Sequence, residues 1–343
     1  MRPVTQQEES KGGGESTLTV LVALGANAGI AVAKGVAAVI SGSAAMAAET
    51  AHSVVDTANE VLLLVALKRS DRAPDRHRPL GYGPERFFWS FVAAVSIFVS
   101  GAVFAAMEGV RTLLSDEQES AGAILSSIVL GISFLLEGAS WVRATQQIRA
   151  DAKAHDLPLG RFLRTTDDPT AKTVFYEDSA ALIGLLLAFA GVWLHEITGS
   201  AVWDGIASLL IAALLAAIAY LLARTNKDLL VGSQADPRLV RAIASWLGAR
   251  PDVDAVVDLL TQRIGTDRVL VCARLDFVDS LTAGELERTT LAMDRAMRER
   301  FADVAEVFLE PVPRHDEQLR AEVRSRYGDR IAAVLAEAST ARR

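Results

Sequence analysis

Residues 200–222 read SAVWDGIASLLIAALLAAIAYLL, with Asp204 as the one charged side chain in the stretch. About 20 consecutive apolar residues suffice for a helix to cross a bilayer. This run therefore predicts a membrane span, and its neighbours extend the pattern. Five more apolar stretches of comparable length precede it, at residues 18–40, 44–67, 87–113, 121–142 and 173–194. Hydrophobic residues make up 51% of the 343. It is their clustering into long runs, more than the total, that marks a membrane protein. The fold expected is a six-helix transmembrane domain over residues 17–232.

The loops alternate in charge. Lys68, Arg69, Arg72, Arg76, Arg78 and Arg86 lie between the second and third runs. Arg143, Arg149, Lys153, Arg161, Arg164 and Lys172 lie between the fourth and fifth, and Arg224 and Lys227 follow the sixth. The other three loops are short, and Arg111 is almost the only base near them. Basic loops stay on the cytoplasmic side. The expectation is a multi-pass protein of the cell membrane with both termini cytoplasmic. A formal net charge of -7 argues against nucleic-acid binding. One cysteine, Cys272, excludes a disulfide framework and a cysteine-based metal site. Residues 1–16 are polar and Gly-rich and read as a disordered cytoplasmic tail. The apolar run after them lacks a small-residue cleavage site and reads as a retained span, not a leader.

Beyond Gly232 the pattern becomes that of a small α+β domain, residues 233–313, on the cytoplasmic side. Leu239, Ile243, Trp246 and Leu247 recur at helical spacing, with Gly248 after them. Residues 253–263 and 268–278 read as two strands around Gly265-Thr266-Asp267. Thr282-Ala283-Gly284-Glu285 has the capping-box form and opens a helix. Residues 304–309 read as a third strand, which gives the order α-β-β-α-β. Residues 314–343 read as a charged helix, either on the surface or in contact with a partner.

Ionisable side chains inside a span cost at least ~2.5–3.5 kcal/mol each, so each calls for a reason. Glu49, His52, Asp56 and Glu60 all lie in the second run. His52 and Asp56, at i and i+4, share one helix face. An imidazole and a carboxylate one turn apart form half of a tetrahedral zinc site. The alternative is a His–Asp hydrogen bond that only holds helices together. The fifth run carries Glu177 and Asp178. Asp168-Pro169 starts its helix, placing Asp178 ~13 Å in at 1.5 Å per residue. Neighbouring helical residues point about 100° apart, so Glu177 and Asp178 do not both aim ideally at one centre. Lys34 and Glu49 read as an ion pair between helices, and Glu108 and Arg111 as a local i, i+3 pair. Asn27 reads as an interhelical hydrogen-bonding group, with metal ligation as the other option, and Asp204 as a helix-end charge. Glu137 stays open between a supporting contact, a proton carrier and packing.

The motifs taken together resemble the cation diffusion facilitators, the zinc-transporter superfamily, over nearly the whole chain. They are Gly42-Ser43 through Glu49, His52-Ser53-Val54-Val55-Asp56, Gly81-Tyr82-Gly83-Pro84-Glu85-Arg86-Phe87-Phe88-Trp89 and Asp168-Pro169-Thr170. Further on come Glu177-Asp178-Ser179-Ala180-Ala181, Trp203-Asp204-Gly205-Ile206-Ala207-Ser208 and Leu229-Leu230-Val231-Gly232. The Glu-Asp-Ser-Ala-Ala form looks most like the branch with the mitochondrial-type member and its bacterial relatives. The resemblance implies a ferredoxin-like, metallochaperone-like C-terminal domain and a homodimer. It also implies a transport site built from two residues of the second span and two of the fifth. His52 and Asp56 match the first pair, and Asp178 matches the second member of the other. Val174 stands where that pair's first ligand belongs, so Glu177, water or a backbone group completes the shell. In the loop between the second and third spans Asp75 matches a metal-binding position of some members, while His77, Arg78 and Tyr82 depart from the pattern. The C-terminal domain has His315 as its one histidine. The expectation there is dimerisation without a regulatory zinc cluster.

The activity implied is efflux of a divalent cation, zinc foremost, by proton antiport. No resident cofactor and no enzymatic reaction are expected. Metal binding displaces the proton of an imidazole, which titrates near neutral pH. Manganese, iron, cobalt or nickel is the alternative cargo. Outside that class stand a non-transporting membrane scaffold or metal sensor, and a membrane metallohydrolase. The last lacks a His-Glu-x-x-His helix.

Overall fold

In the computed structural model the apolar runs are helical wherever they are described, the third with a π-helical stretch inside it. Residues 13–114, 123–154, 158–165, 169–319, 321–323 and 325–326 are described. Most of the N-terminal tail, the Asp168 helix start and most of the final charged segment lie outside them. Helix α1 covers Gly13–Ser41 and α2 covers Ala44–Ser70. Gly42 takes φ +65 between them, a left-handed conformation that suits glycine. Helix α3 (Pro84–Ser96) runs through a π-helical stretch, Ile97–Ala102, into α4 (Val103–Leu114). Helix α5 (Ala123–Ala154), short α6 (Leu159–Thr165), α7 (Pro169–Thr198) and α8 (Val202–Val231) follow. Among the described residues four helical stretches are long and apolar enough to cross a membrane: Pro84–Leu114, Ala123–Lys153, Lys172–Thr198 and Val202–Val231. Helices α1 and α2 have 29 and 27 residues. The acids of α2 lower its hydropathy.

The chain divides into two compact units. In the first, small side chains let the helices approach closely, as membrane helices do. A Cβ on Gly109 would stand 3.0 Å from the Gly205 carbonyl, and one on Gly205 would stand 3.1 Å from the Gly109 carbonyl. That reciprocal fit seats α4 on α8, and Ser208 Oγ donates to the Ala105 carbonyl at 2.7 Å along the same seam. A Cβ on Gly191 would stand 2.6 Å from Ala207 Cβ, an approach that joins α7 to α8. Ala45, Ala48, Ala94, Ala105 and Ala188 line the core with Ile97, Leu185, Ile211 and Leu215.

The second unit takes in residues 68–87 and everything described after Asn226. Helix α9 (Pro237–Gly248) starts at Asp236, whose carboxylate accepts from the Arg238 amide. Strands β1 (Val253–Gly265) and β2 (Arg268–Phe277) pair antiparallel, turning at Asp267 with φ 51. Helix α10 (Ala283–Arg300) crosses over to β3 (Val304–Pro311), which lies parallel to β2. The sheet order is β1-β2-β3. The α-β-β-α-β succession expected from the pattern is thus present, as a mixed three-stranded sheet. Thr282 and Glu285 close the capping box on α10. Ile243, Leu247, Leu259, Val271, Leu275 and Met293 fill the core, and Val323 of the last segment joins it. Arg326 donates to the buried Asp258 at 3.0 Å, which fastens that segment to β1. Burial holds the Asp258 carboxyl above its ordinary range.

Candidate metal centre

His52 and Asp56 project from the same face of α2, as their spacing requires. His52 is buried, and neither of its ring nitrogens has a hydrogen-bond partner. Its Nδ1 stands 3.6 Å from Asp56 Oδ1, too far for a hydrogen bond. The purely structural His–Asp hydrogen bond is therefore absent. Asp56 Oδ1 is likewise buried and unpartnered. Buried polar atoms of native proteins almost always have partners, so these three unpartnered atoms, two of them lone-pair sites since a neutral imidazole keeps one N–H, call for a ligand.

Glu177 and Asp178 diverge from adjacent positions of α7. Glu177 Oε1 accepts from Asn59 Nδ2 on α2 at 2.7 Å. Asp178 Oδ2 faces Ser140 Oγ of α5 at 3.5 Å. Both carboxylates are electrostatic neighbours of Asp56. Among the described residues no group of three or more His, Cys, Asp or Glu side chains stands close enough to hold a metal ion. The four side chains share a neighbourhood without being drawn into a coordination shell.

The surrounding groups are paired. Lys34 Nζ, fully buried, donates to Ser53 Oγ at 2.8 Å, Glu137 Oε1 at 2.9 Å and Glu49 Oε2 at 3.1 Å. The Lys34–Glu49 pair expected from the sequence is present, and Glu137 joins it from α5. A Cβ on Gly184 would lie 2.2 Å from Glu49 Oε1, so glycine there makes room for the carboxylate. Asn27 Nδ2 donates to Glu60 Oε1, joining α1 to α2. Glu108 and Arg111 pair at 3.8 Å. Asp204 does more than supply a helix-end charge. Its Oδ1 accepts from Ser43 Oγ at 2.7 Å and from the Ala45 amide at 3.4 Å, and its Oδ2 accepts from the Ala44 amide. It caps the start of α2 from the first turn of α8. Asn59 went unnoticed in the sequence. The signal was its position three residues after Asp56, on the same helix face.

The loop before α3 has its own polar structure. Asp75 accepts from the Tyr82 hydroxyl at 2.6 Å and from the His77 and Arg78 amides at 2.8 Å. The Tyr82 hydrogen bond, then the amide of Arg78, hold the Asp75 carboxyl below its usual range. Asp75 is thus engaged in closing a turn.

A bundle of apolar helices around a buried, unpartnered imidazole and several carboxylates defines a multi-pass membrane protein with a polar centre. The chain belongs to the cation efflux family, the cation diffusion facilitators: residues 20–231 match the model of the cation efflux transmembrane domain. It is 31% identical over 295 residues to metal tolerance protein C4 of Arabidopsis thaliana, covering 86% of this chain and 62% of that protein. It is 32% identical over 239 residues to the Xenopus laevis protein named proton-coupled zinc antiporter SLC30A9, mitochondrial, covering 70% of this chain and 43% of that one. A Mycobacterium tuberculosis protein described as a probable cation efflux system protein is 30% identical over 284 residues, covering 82% of this chain and 78% of its own length. The chain thus spans less than two thirds of the length of the first two relatives.

Proposed function

We propose that this chain exports a divalent metal ion, zinc foremost, in exchange for protons. The observation that carries the reading is His52, buried in α2 with both nitrogens unpartnered, one turn from an equally unpartnered Asp56 oxygen. His52, Asp56 and Asp178 would hold the ion, with Glu177 turned instead toward Asn59. A nitrogen among oxygens favours zinc over manganese, which prefers oxygen-rich sites. The imidazole must be neutral to ligate, so metal and proton compete for the same lone pair. On the cytoplasmic side the ion displaces protons. On a more acidic far side, protons reclaim His52 and a carboxylate and the ion leaves. A cavity of ≈ 410 Å³, lined by Ser43, Glu108, His195 and Asp204 among others, lies where α7 finishes and α2 and α8 begin. It suits a release vestibule. The names of the Arabidopsis and Xenopus relatives, a metal tolerance protein and a zinc antiporter, agree with this reading.

In this reading α1 and α2 span the membrane with the four more apolar helical stretches, giving six spans and cytoplasmic termini. The C-terminal unit is a ferredoxin-like variant that pairs two copies, and Phe308 of its outer strand β3, 60% exposed, is available for that contact. The test is metal uptake into inside-out vesicles across zinc, manganese, iron, cobalt and nickel, with a pH dye recording proton counterflow. Zinc uptake with opposite proton movement, abolished in Asp56→Ala, is expected. Uptake unaffected by Asp56→Ala, or no uptake of any ion, would overturn it. Uptake favouring manganese would replace the cargo but keep the transporter.

A further inference from the structure

If His52, Asp56 and Asp178 hold the ion, the shell is one donor short. A tetrahedral zinc site takes four ligands. Val174, one turn before Asp178, has no donor atom, and the Glu177 carboxylate is turned to Asn59 at 2.7 Å. A carboxylate from a third helix is better placed. Glu137 lies at the midpoint of α5, as Asp56 lies near the midpoint of α2. The face of α5 that carries it is fixed against α7. Ser140, three residues on, faces Asp178, and Trp141, four residues on, donates through Nε1 to Ser179 Oγ at 2.9 Å. Residues at i, i+3 and i+4 share a face, so Glu137 emerges one turn from those contacts. It is an electrostatic neighbour of both Asp56 and Asp178.

One Glu137 oxygen is held and the other is not. Oε1 accepts from Lys34 Nζ at 2.9 Å, while Oε2 is buried without a partner. Lys34 has three donors and three acceptors, the other two being Glu49 and Ser53. It would keep those two if Glu137 moved away. Ser53 adjoins His52, so the ammonium of α1 is held at the α2 position next to the imidazole.

We propose that Glu137 supplies the ligand missing at Val174, and that Lys34 holds it by charge until a divalent ion takes the ammonium's place. The ion and Lys34 then compete for one carboxylate, and Glu49 and Ser53 keep Lys34 partnered while Glu137 is on the metal. This rests on the transport-site reading above and requires the carboxylates to close in, since no three of the described acids or histidines stand at ligating distance. The rival view is that Glu137 is only the counter-ion of Lys34.

The two views predict opposite patterns for zinc affinity, measured on the purified full chain by competition with a chelating dye. Glu137→Gln should weaken zinc binding by about tenfold or more. Lys34→Gln should tighten it, and only while Glu137 is present. The double variant K34Q/E137Q removes one charge of each sign, keeps an amide donor at position 34 for Glu49, and stands in should either single variant fail to fold. It should bind as weakly as Glu137→Gln. Affinity equal to the parent in Glu137→Gln or in the double variant would overturn the inference. Asp56→Ala separates the two levels of the argument. If it binds zinc like the parent, the transport-site reading fails. If it loses zinc while the double variant keeps parental affinity, the site stands and only the role of Glu137 falls.

Discussion

The start of α2 shows how one residue can serve a helix other than its own. Ser43 caps it in the usual way, its hydroxyl accepting from the Met46 amide at 3.1 Å. The first free amides are then met by Asp204, 2% exposed, reaching over from α8. A carboxylate at a helix N-terminus gains from both the hydrogen bonds and the dipole. Asp204→Ala removes the acceptor of the Ala44 and Ala45 amides and of the Ser43 hydroxyl, and should cost about 1–3 kcal/mol. Ser43→Ala, which keeps the carboxylate, should cost about 1 kcal/mol. Thermal unfolding of the detergent-solubilised protein checks the order, and Asp204→Ala as stable as the parent would refute the cap. The sequence marked Asp204 as charged at a helix end but not whose helix it serves. Lys34 and Glu49 were legible as a pair because they sit at similar distances from one short turn. Asn59 and Glu177 were not, because the facing of α2 and α7 depends on packing that no local spacing records.

Glycines decide how two elements of the second unit meet. Gly83, at the start of α3, packs on the turn between β1 and β2. A Cβ there would lie 2.2 Å from the Ile264 carbonyl oxygen and 2.7 Å from Gly265 Cα. These are backbone atoms on both sides, so no side-chain rotation relieves the clash. Gly81, with φ +86, turns the chain just before, against Arg268. Gly83→Ala should therefore lift the loop from the hairpin at a cost of about 1–3 kcal/mol, the usual range for overpacking. Trypsin reports this directly, since Arg76 and Arg78 lie in the loop: faster cleavage there is expected, and an unchanged rate would remove the contact from the argument. The strands of this unit were readable as alternation, and they start where the pattern places them. The π-helical stretch Ile97–Ala102 was not, because apolar residues on every side leave no periodic face to betray a change of register. The motif from Gly81 to Trp89 was visible as a motif. Its reason, a glycine seated on a distant hairpin turn, needed the fold.

For the molecule as a whole the open question is orientation, and charge placement makes a definite prediction. The net charge is -7, yet the bases gather in alternate loops, with Arg69, Arg72, Arg76 and Arg78 before α3. The family match covers residues 20–231, and the α+β unit follows it. If the basic loops face the cytoplasm, that unit does too, because α8 must exit on the same side as α2 when six helices cross. The single cysteine makes this testable with little alteration. Cys272 lies in β2, half-buried, and burial raises its thiol above the ordinary range, so it reacts sluggishly. Cys272→Ala gives a cysteine-free background, into which one cysteine at a time can be placed at the exposed positions Arg76, Thr198 and Arg238. A membrane-impermeant thiol reagent applied to intact cells should reach Thr198→Cys and spare Arg76→Cys and Arg238→Cys. In inside-out vesicles the pattern should invert. Labelling of Thr198→Cys and Arg76→Cys from the same face would contradict the three crossings expected between them, by α3–α4, α5 and α7. Labelling of Arg238→Cys from outside would place the α+β unit on the far side, where it could not meet metal before export.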